Sequence, residues 1–147
     1  MRKKLMFGIA LTLLAAMVLP VVAFAAGGGG TGTLVAYGDG TAGVRGNGEV
    51  KITGRGVLYI KDHAGDANIQ VSGTGKRIEL PNGWIQYVGF NGKAYVAGSL
   101  ISVGLKGSNI ALHATGTGRF ILWGNGTYEV NGTSGRWTEP GVVLELK

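Results

Sequence analysis

Gly46-Asn47-Gly48-Glu49-Val50-Lys51-Ile52-Thr53-Gly54-Arg55-Gly56 carries the pattern from which the fold is read. Two Gly-x-Gly groups bracket five residues, and within those five the apolar side chains fall on alternate positions. Val50 and Ile52 alternate with Glu49, Lys51 and Thr53. That is the period of a half-buried strand. The punctuation returns about every eight residues. It stands at Gly38-Asp39-Gly40, Gly73-Thr74-Gly75, Gly116-Thr117-Gly118 and Gly124-Asn125-Gly126, and continues through Asn82-Gly83, Asn91-Gly92 and Asn131-Gly132. Nothing from Thr33 onward has a helical period.

Composition agrees. The chain has 147 residues, 29 of them glycine, and no cysteine. Glycine in average usage is roughly 7%. An apolar content of 45% excludes simple disorder. Three prolines and no G-X-Y period exclude collagen. Without cysteine there is no disulfide scaffold, thiolate metal site or cysteine nucleophile. The net charge is +6, but Arg2, Lys3 and Lys4 supply half of it from the extreme N-terminus. The remaining mild basicity does not describe a nucleic-acid binder.

Residues 1–25 read as a signal peptide. Arg2-Lys3-Lys4 is the positive region, Leu5 to Leu19 the apolar one, and Pro20 with Ala23-Phe24-Ala25 the cleavage signal. Kept uncleaved, the same segment would anchor the chain in a membrane. Residues 26–32 form a flexible glycine-rich leader, and 33–147 a single β-repeat domain.

Side-chain parity suggests how the strands connect. In a hairpin, a three-residue loop keeps apolar residues on the same parity, and a two-residue loop switches it. Parity is even at Leu34, Ala36, Ala42, Val44, Val50, Ile52, Leu58 and Ile60. It is odd at Ala67, Ile69 and Val71, even at Ile78 and Leu80, odd at Ile101, Val103 and Leu105, and even at Ile110, Leu112 and Ala114. Gly-x-Gly loops fit the constant stretch, and Gly98-Ser99 and Gly107-Ser108 suit type II′ turns at the switches. The expectation is all-β: an antiparallel meander of about 12–13 short strands with glycine-rich tight turns. It would close as a flattened barrel or a two-layer sandwich. Val142 to Leu146 supplies the last strand, after an irregular stretch from Gly132 to Gly141. A β-solenoid is the alternative.

That register lays Glu79, Tyr87, Tyr95, Ser102, His113, Ile121 and Glu129 in one outer row, with Trp123 beside Ala111 and Gly104. Aromatic faces beside hydroxyls and a carboxylate would suit a sugar or another small ligand. Glu79, Tyr87, Tyr95, Ser102, His113 and Trp123 are therefore the candidate ligand-binding residues. Ser102 next to His113 suggests a hydrolase. The nearest acid in the row, Glu129, lies two strands past His113, roughly 10 Å away, and strand N–H groups are spent in the ladder. No enzyme activity and no cofactor are expected. Asp62, His63 and Asp66 in the loop after Ile60 are the weak metal candidates, lacking the acidic spacing of a calcium loop. Gln86 falls on an inward position, which the poor alternation of residues 83–88 marks as a local register error. Asn125-Gly126-Thr127 and Asn131-Gly132-Thr133 match the N-glycosylation pattern.

Gly46 to Gly56 resembles the glycine-rich β-repeats of exported bacterial proteins and, more distantly, bactofilin-like polymer-forming domains. The likeness is confined to the repeat. Bactofilins have no signal peptide and fold as solenoids, so neither function nor residues carry over. The functional expectation is an exported, non-enzymatic domain with a structural or assembly role at the cell envelope or outside the cell. Its partner would be a second copy of itself, joined through sheet edges. The alternative is a secreted module that binds a carbohydrate, such as an extracellular glycan, or a small ligand. No nucleic-acid partner is expected, and a membrane is met only through an uncleaved signal segment.

Overall fold

An even repeat of alternating residues has a second solution: a strand that never turns back. With a period of two and a repeat of about eight, the apolar set stays on one face through any number of repeats. The computed structural model, which describes residues 31–147, takes this solution. The signal segment expected at 1–25 and the leader up to residue 30 lie outside the described residues. Strand β1 runs unbroken over Gly32–Asp62, and β3 over Trp84–Val130. Between them lies β2 (Asn68–Glu79), and a single 3-10 turn, Pro81–Gly83, joins β2 to β3. Two short strands follow, β4 (Thr133–Arg136) and β5 (Val142–Leu146). β5 has the expected bounds, whereas β4 lies in the stretch read as irregular.

The chain is thus one long hairpin with its tip at Pro81–Gly83. Leu80 N–H donates to the Trp84 carbonyl across that tip, at 2.8 Å. All named pairs are antiparallel, and all involve β3. The decisive feature is that β1 meets β3 on both of its edges. Val44 pairs with Val103 on one edge and with Phe120 on the other. From the other side, Leu112 pairs with both Ala36 and Ile52. The two arms therefore wind around each other, with about two repeats per revolution.

This corrects the meander. Successive five-residue segments such as 41–45 and 49–53 do not pair with each other; each pairs with β3. The solenoid alternative is not met either, because the strand pairings are antiparallel. Nor does the sheet close into a barrel. The arms slide past each other, leaving β2 at one margin and β4 and β5 at the other, each paired to β3 alone.

Winding requires the ribbon to bend, and the glycines lie where it does. They face one another across the ladder: Gly40 meets Gly124, Gly48 meets Gly116, and Gly56 meets Gly107. At Gly56, φ is +143°, a region that L side chains rarely enter. A β-carbon there would drive into the Lys106 carbonyl oxygen and lie 2.8 Å from the Gly107 α-carbon. Only a bare backbone permits this approach.

The parity switches also have a different cause from the two-residue turns expected. The two that fall within β3 are single-residue bulges; the one before Ala67 lies at the loop after Asp62, and Ile78, read as inward, faces outward in a row with Gln86 and Tyr59. Gly48 pairs with Gly98 but Gly46 with Ile101, so β3 gains one residue there. Gly40 pairs with Gly107 but Gly38 with Ile110, and Asn109 takes the left-handed conformation at φ +55°. Gly89, at φ +72°, marks a third bulge: Gly56 pairs with Phe90 and Val57 with Val88. A bulge and a two-residue turn shift parity alike, so the pattern does not separate them.

The inward set is nearly as read. Leu34, Ala36, Ala42, Val44, Val50, Ile52, Leu58 and Ile60 are all buried, as are Ile101, Val103, Leu105, Ile110, Leu112, Ala114 and Phe120. Phe90, Trp137 and Leu146 complete the same core. The Trp137 indole N–H donates to the Thr127 carbonyl at 3.0 Å, which satisfies the one polar atom of that ring. Asn131 ties the start of β1 to the C-terminal residue. Its side-chain oxygen accepts from Thr33 N–H at 2.8 Å, and its amide donates to the Lys147 carbonyl at 2.9 Å.

Two alanine substitutions test the bend. Gly56→Ala is expected to cost at least about 2 kcal/mol, from the positive φ and the backbone collision together. Gly43→Ala, where a β-carbon meets nothing closer than 3.5 Å, should change stability by less than about 0.5 kcal/mol. Denaturant unfolding of the two variants checks the contrast.

Candidate functional site

Outward residues form rows across the paired strands, and the glycine corners divide these rows into two groups. One row of the first group runs Gln70, Tyr95, Lys51, His113, Val35, Glu129, Ser134. Tyr95 and His113 do share a row, but Lys51 lies between them where Ser102 was expected. The Tyr95 hydroxyl donates to Glu49 Oε2 at 3.2 Å. Burial and the neighbouring Glu49 charge raise its pKa. His113 Nε2 lies 3.4 Å from the Tyr37 hydroxyl, with the two rings edge to face. Burial, and then the Lys51 charge, hold the His113 pKa below the usual histidine value.

The other row candidates lie elsewhere. Ser102 is buried in the second group, where it pairs with Arg45 and Lys61. Trp123 stands beside Thr41, and not beside Ala111 or Gly104. Glu79 forms an exposed ion pair with Arg77 at 2.8 Å. Tyr87 lies opposite the buried Leu58 and packs against the core near Phe90. Gln86 takes the outward position instead, and its amide donates to the Tyr59 hydroxyl at 3.1 Å. The Gly89 bulge exchanges these two side chains, which is the source of the poor alternation at 83–88. The expected six-residue platform is therefore not assembled.

The loop after Ile60 serves its own backbone. Asp62 accepts from Gly65 N–H at 2.8 Å and from Ala67 N–H at 2.9 Å. Asp66 accepts from both the backbone N–H and the hydroxyl of Ser99. His63 Nε2 and Ser102 Oγ share a hydrogen bond of 2.8 Å. Asp62, His63 and Asp66 thus each have a different partner, and among the described residues no group of acids and histidines is arranged to hold a metal ion. His63 has its pKa lowered by loss of hydration first, then by Arg45 and Lys61, against a smaller opposing effect of Asp62. A neutral histidine on a serine is part of a hydrolytic triad, but the adjacent carboxylate is turned into its own loop.

A concave site lies elsewhere in the second group. One row there runs Ile78, Gln86, Tyr59, Gly104, Gly43, Ile121, Val143. Gly104 and Gly43 are adjacent and point outward, so two successive strands present bare backbone. Tyr59, Trp84 and Leu80 stand on one side of this gap, Ile121 and Val143 on the other. The result is a trench of about 610 Å³, within the range of small-molecule sites. Tyr59 and Ile121 are three strand spacings apart, roughly 14 Å. Arg45, Ser102 and Arg119 form one rim, from the next row: Trp84, Lys61, Ser102, Arg45, Arg119, Glu145. Lys61 Nζ stands 5.9 Å from the centre of the Trp84 ring. None of the trench-floor residues was singled out from the sequence. The available signal was phase: Gly43 and Gly104 fall outside the Gly-x-Gly spacing, on outward positions in mid-strand.

Histidine titration gives a stability test. His63 and His113 both have folded pKa values below the ordinary 6.5. The unfolded chain therefore takes up protons first as pH falls, and stability declines from about pH 7.5 towards pH 5. Above that window the two histidines contribute no slope. Chemical denaturation across the range should show the decline, and His113→Gln should flatten it.

No family model matches this chain, and no curated protein or solved structure shows significant similarity to it.

Proposed function

We propose that this chain is an exported, non-enzymatic binding module whose trench over Gly43 and Gly104 holds a small, flat, apolar ligand. The wound hairpin is read as two layers of short segments joined by glycine bends, with the trench on the outer side of one layer. Export rests on the N-terminal pattern of residues 1–25. One observation carries the binding reading. Two outward glycines lie side by side between an aromatic wall, Tyr59 and Trp84, and an aliphatic one, Ile121 and Val143. Glycine weakens a strand interior unless something approaches its backbone closely. A ring laid on that floor meets aromatic faces and the exposed methyl groups of Ile121 and Val143, and few of the hydrogen-bonding atoms a sugar requires. This favours an apolar ligand over the glycan.

The neutral fluorescent probe N-phenyl-1-naphthylamine should bind the purified protein saturably, one per chain. Gly43→Leu fills the floor and should weaken binding at least about tenfold, roughly 1.4 kcal/mol, with the melting temperature little changed. Absence of saturable binding, or full binding by Gly43→Leu, would reject the reading.

The assembly reading keeps one observation in its favour. β5 is a marginal strand with Val143 57% and Leu144 39% exposed, the kind of edge that pairs with another chain. Light scattering over a concentration series should then show growth that Val143→Lys suppresses; a constant monomer removes this reading.

A further inference from the structure

The rim of the trench is rich in positive charge. Arg45 and Arg119 lie directly opposite each other on neighbouring strands. Like charges in that position destabilise a sheet. Lys61 is in the same row, separated from Arg45 only by Ser102. The one acid in the row, Glu145, lies opposite Arg119 but is engaged by Lys147 Nζ at 3.0 Å, and Lys147 lowers its pKa more than the Arg119 charge does. Neither arginine has an ion pair or a hydrogen bond among the described residues. Both arginine side chains nevertheless border the same trench as Tyr59, Trp84 and Ile121. Arg45 and Lys61 also add, after loss of hydration, to the lowering of the His63 pKa.

We infer that the trench recognises a planar apolar ligand bearing an anionic group, its ring over Gly43 and Gly104 and its carboxylate, sulfonate or phosphate held by Arg45 and Arg119. This deepens the binding reading above and rests on it. The chemistry follows from the juxtaposition. A guanidinium is planar, always charged and weakly hydrated, and grips a two-oxygen anion with paired N–H groups. An anion between the two arginines removes their mutual repulsion, so the unliganded strain becomes part of the binding energy. Ser102, held by His63, offers a neutral hydroxyl on the same rim.

Two probes with the same ring framework separate charge from shape. 8-Anilinonaphthalene-1-sulfonate carries the anion, and N-phenyl-1-naphthylamine lacks it. The protein should bind the sulfonate at least about tenfold more tightly at low salt, with the preference shrinking as salt is added. The double variant Arg45→Gln/Arg119→Gln should lose that preference, keep its affinity for the neutral probe, and unfold at no lower denaturant concentration than the parent. Gly43→Leu should weaken both probes. Equal binding of the two probes by the parent, or a preference that survives the double variant, would overturn the anion inference and leave the apolar trench standing. Failure of both probes to bind, or binding of both that Gly43→Leu does not touch, would overturn the binding reading itself. Formation of a dimer that Ile121→Asp dissociates, with neither probe bound, would assign the trench to a second copy and overturn both.

Discussion

A β-ribbon can be bent sharply only where nothing stands between its strands, and this molecule depends on that. At each bend glycine faces glycine across the ladder: Gly40 and Gly124, Gly48 and Gly116, Gly56 and Gly107. A single methyl at Gly56 would occupy space held by the Lys106 carbonyl. Glycine is costly in a strand because it loses so much freedom on folding. Here that cost is offset by what the bends allow. A hairpin too thin to bury anything by itself wraps on itself, and its inner face becomes one core from Leu34 to Leu146. Burying each large side chain in that core contributes about 1.5–3 kcal/mol.

The same absence of side chains serves two purposes on two faces. Inward glycines bend the ribbon; outward Gly43 and Gly104 leave a gap in a surface otherwise covered by Tyr59, Ile121 and their neighbours. Winding is what makes that gap a site. Tyr59 and Gly43 both belong to β1, and Gly104 and Ile121 both to β3. In a flat hairpin each strand would meet its partner once. Because β1 meets β3 on both edges, residues far apart in sequence alternate in one row, and the two bare positions become adjacent.

Charge follows the same geometry. Arg45 and Arg119 oppose each other only because of the register on one edge of β1; on the other edge Arg45 faces Ser102. Ser102 in turn meets His63 from the loop that interrupts the first arm. That loop holds itself together through Asp62 and reaches β3 through Asp66 and Ser99. The sequence had offered these acids only as weak metal candidates and had set aside hydrolysis by Ser102 with His113. Backbone N–H groups claimed the acids first, as they commonly do in short loops. The glycine corner at Gly107 carried His113 into the other group of rows.

The sequence by itself determined the class of structure and the identity of the inner face. Alternation within an even repeat forces Val50, Ile52, Leu58 and Ile60 to the same side whether the chain turns back or runs on, so the core was legible in such strands, though Ile78 and Leu80 were read as inward and Phe90 and Trp137 were not singled out. Partners were not legible. Backbone hydrogen bonds do not depend on which side chain is present, and a repeat of nearly identical five-residue segments offers many registers of similar local quality. Bulges at Gly89 and Asn109 imitate turns in the parity record, which is why Gln86 and Tyr87 were exchanged and Ser102 was placed beside His113. Only the tertiary structure, by choosing the wound register that buries the whole inner face at once, decided that Gly43 would lie against Gly104 and Arg45 against Arg119.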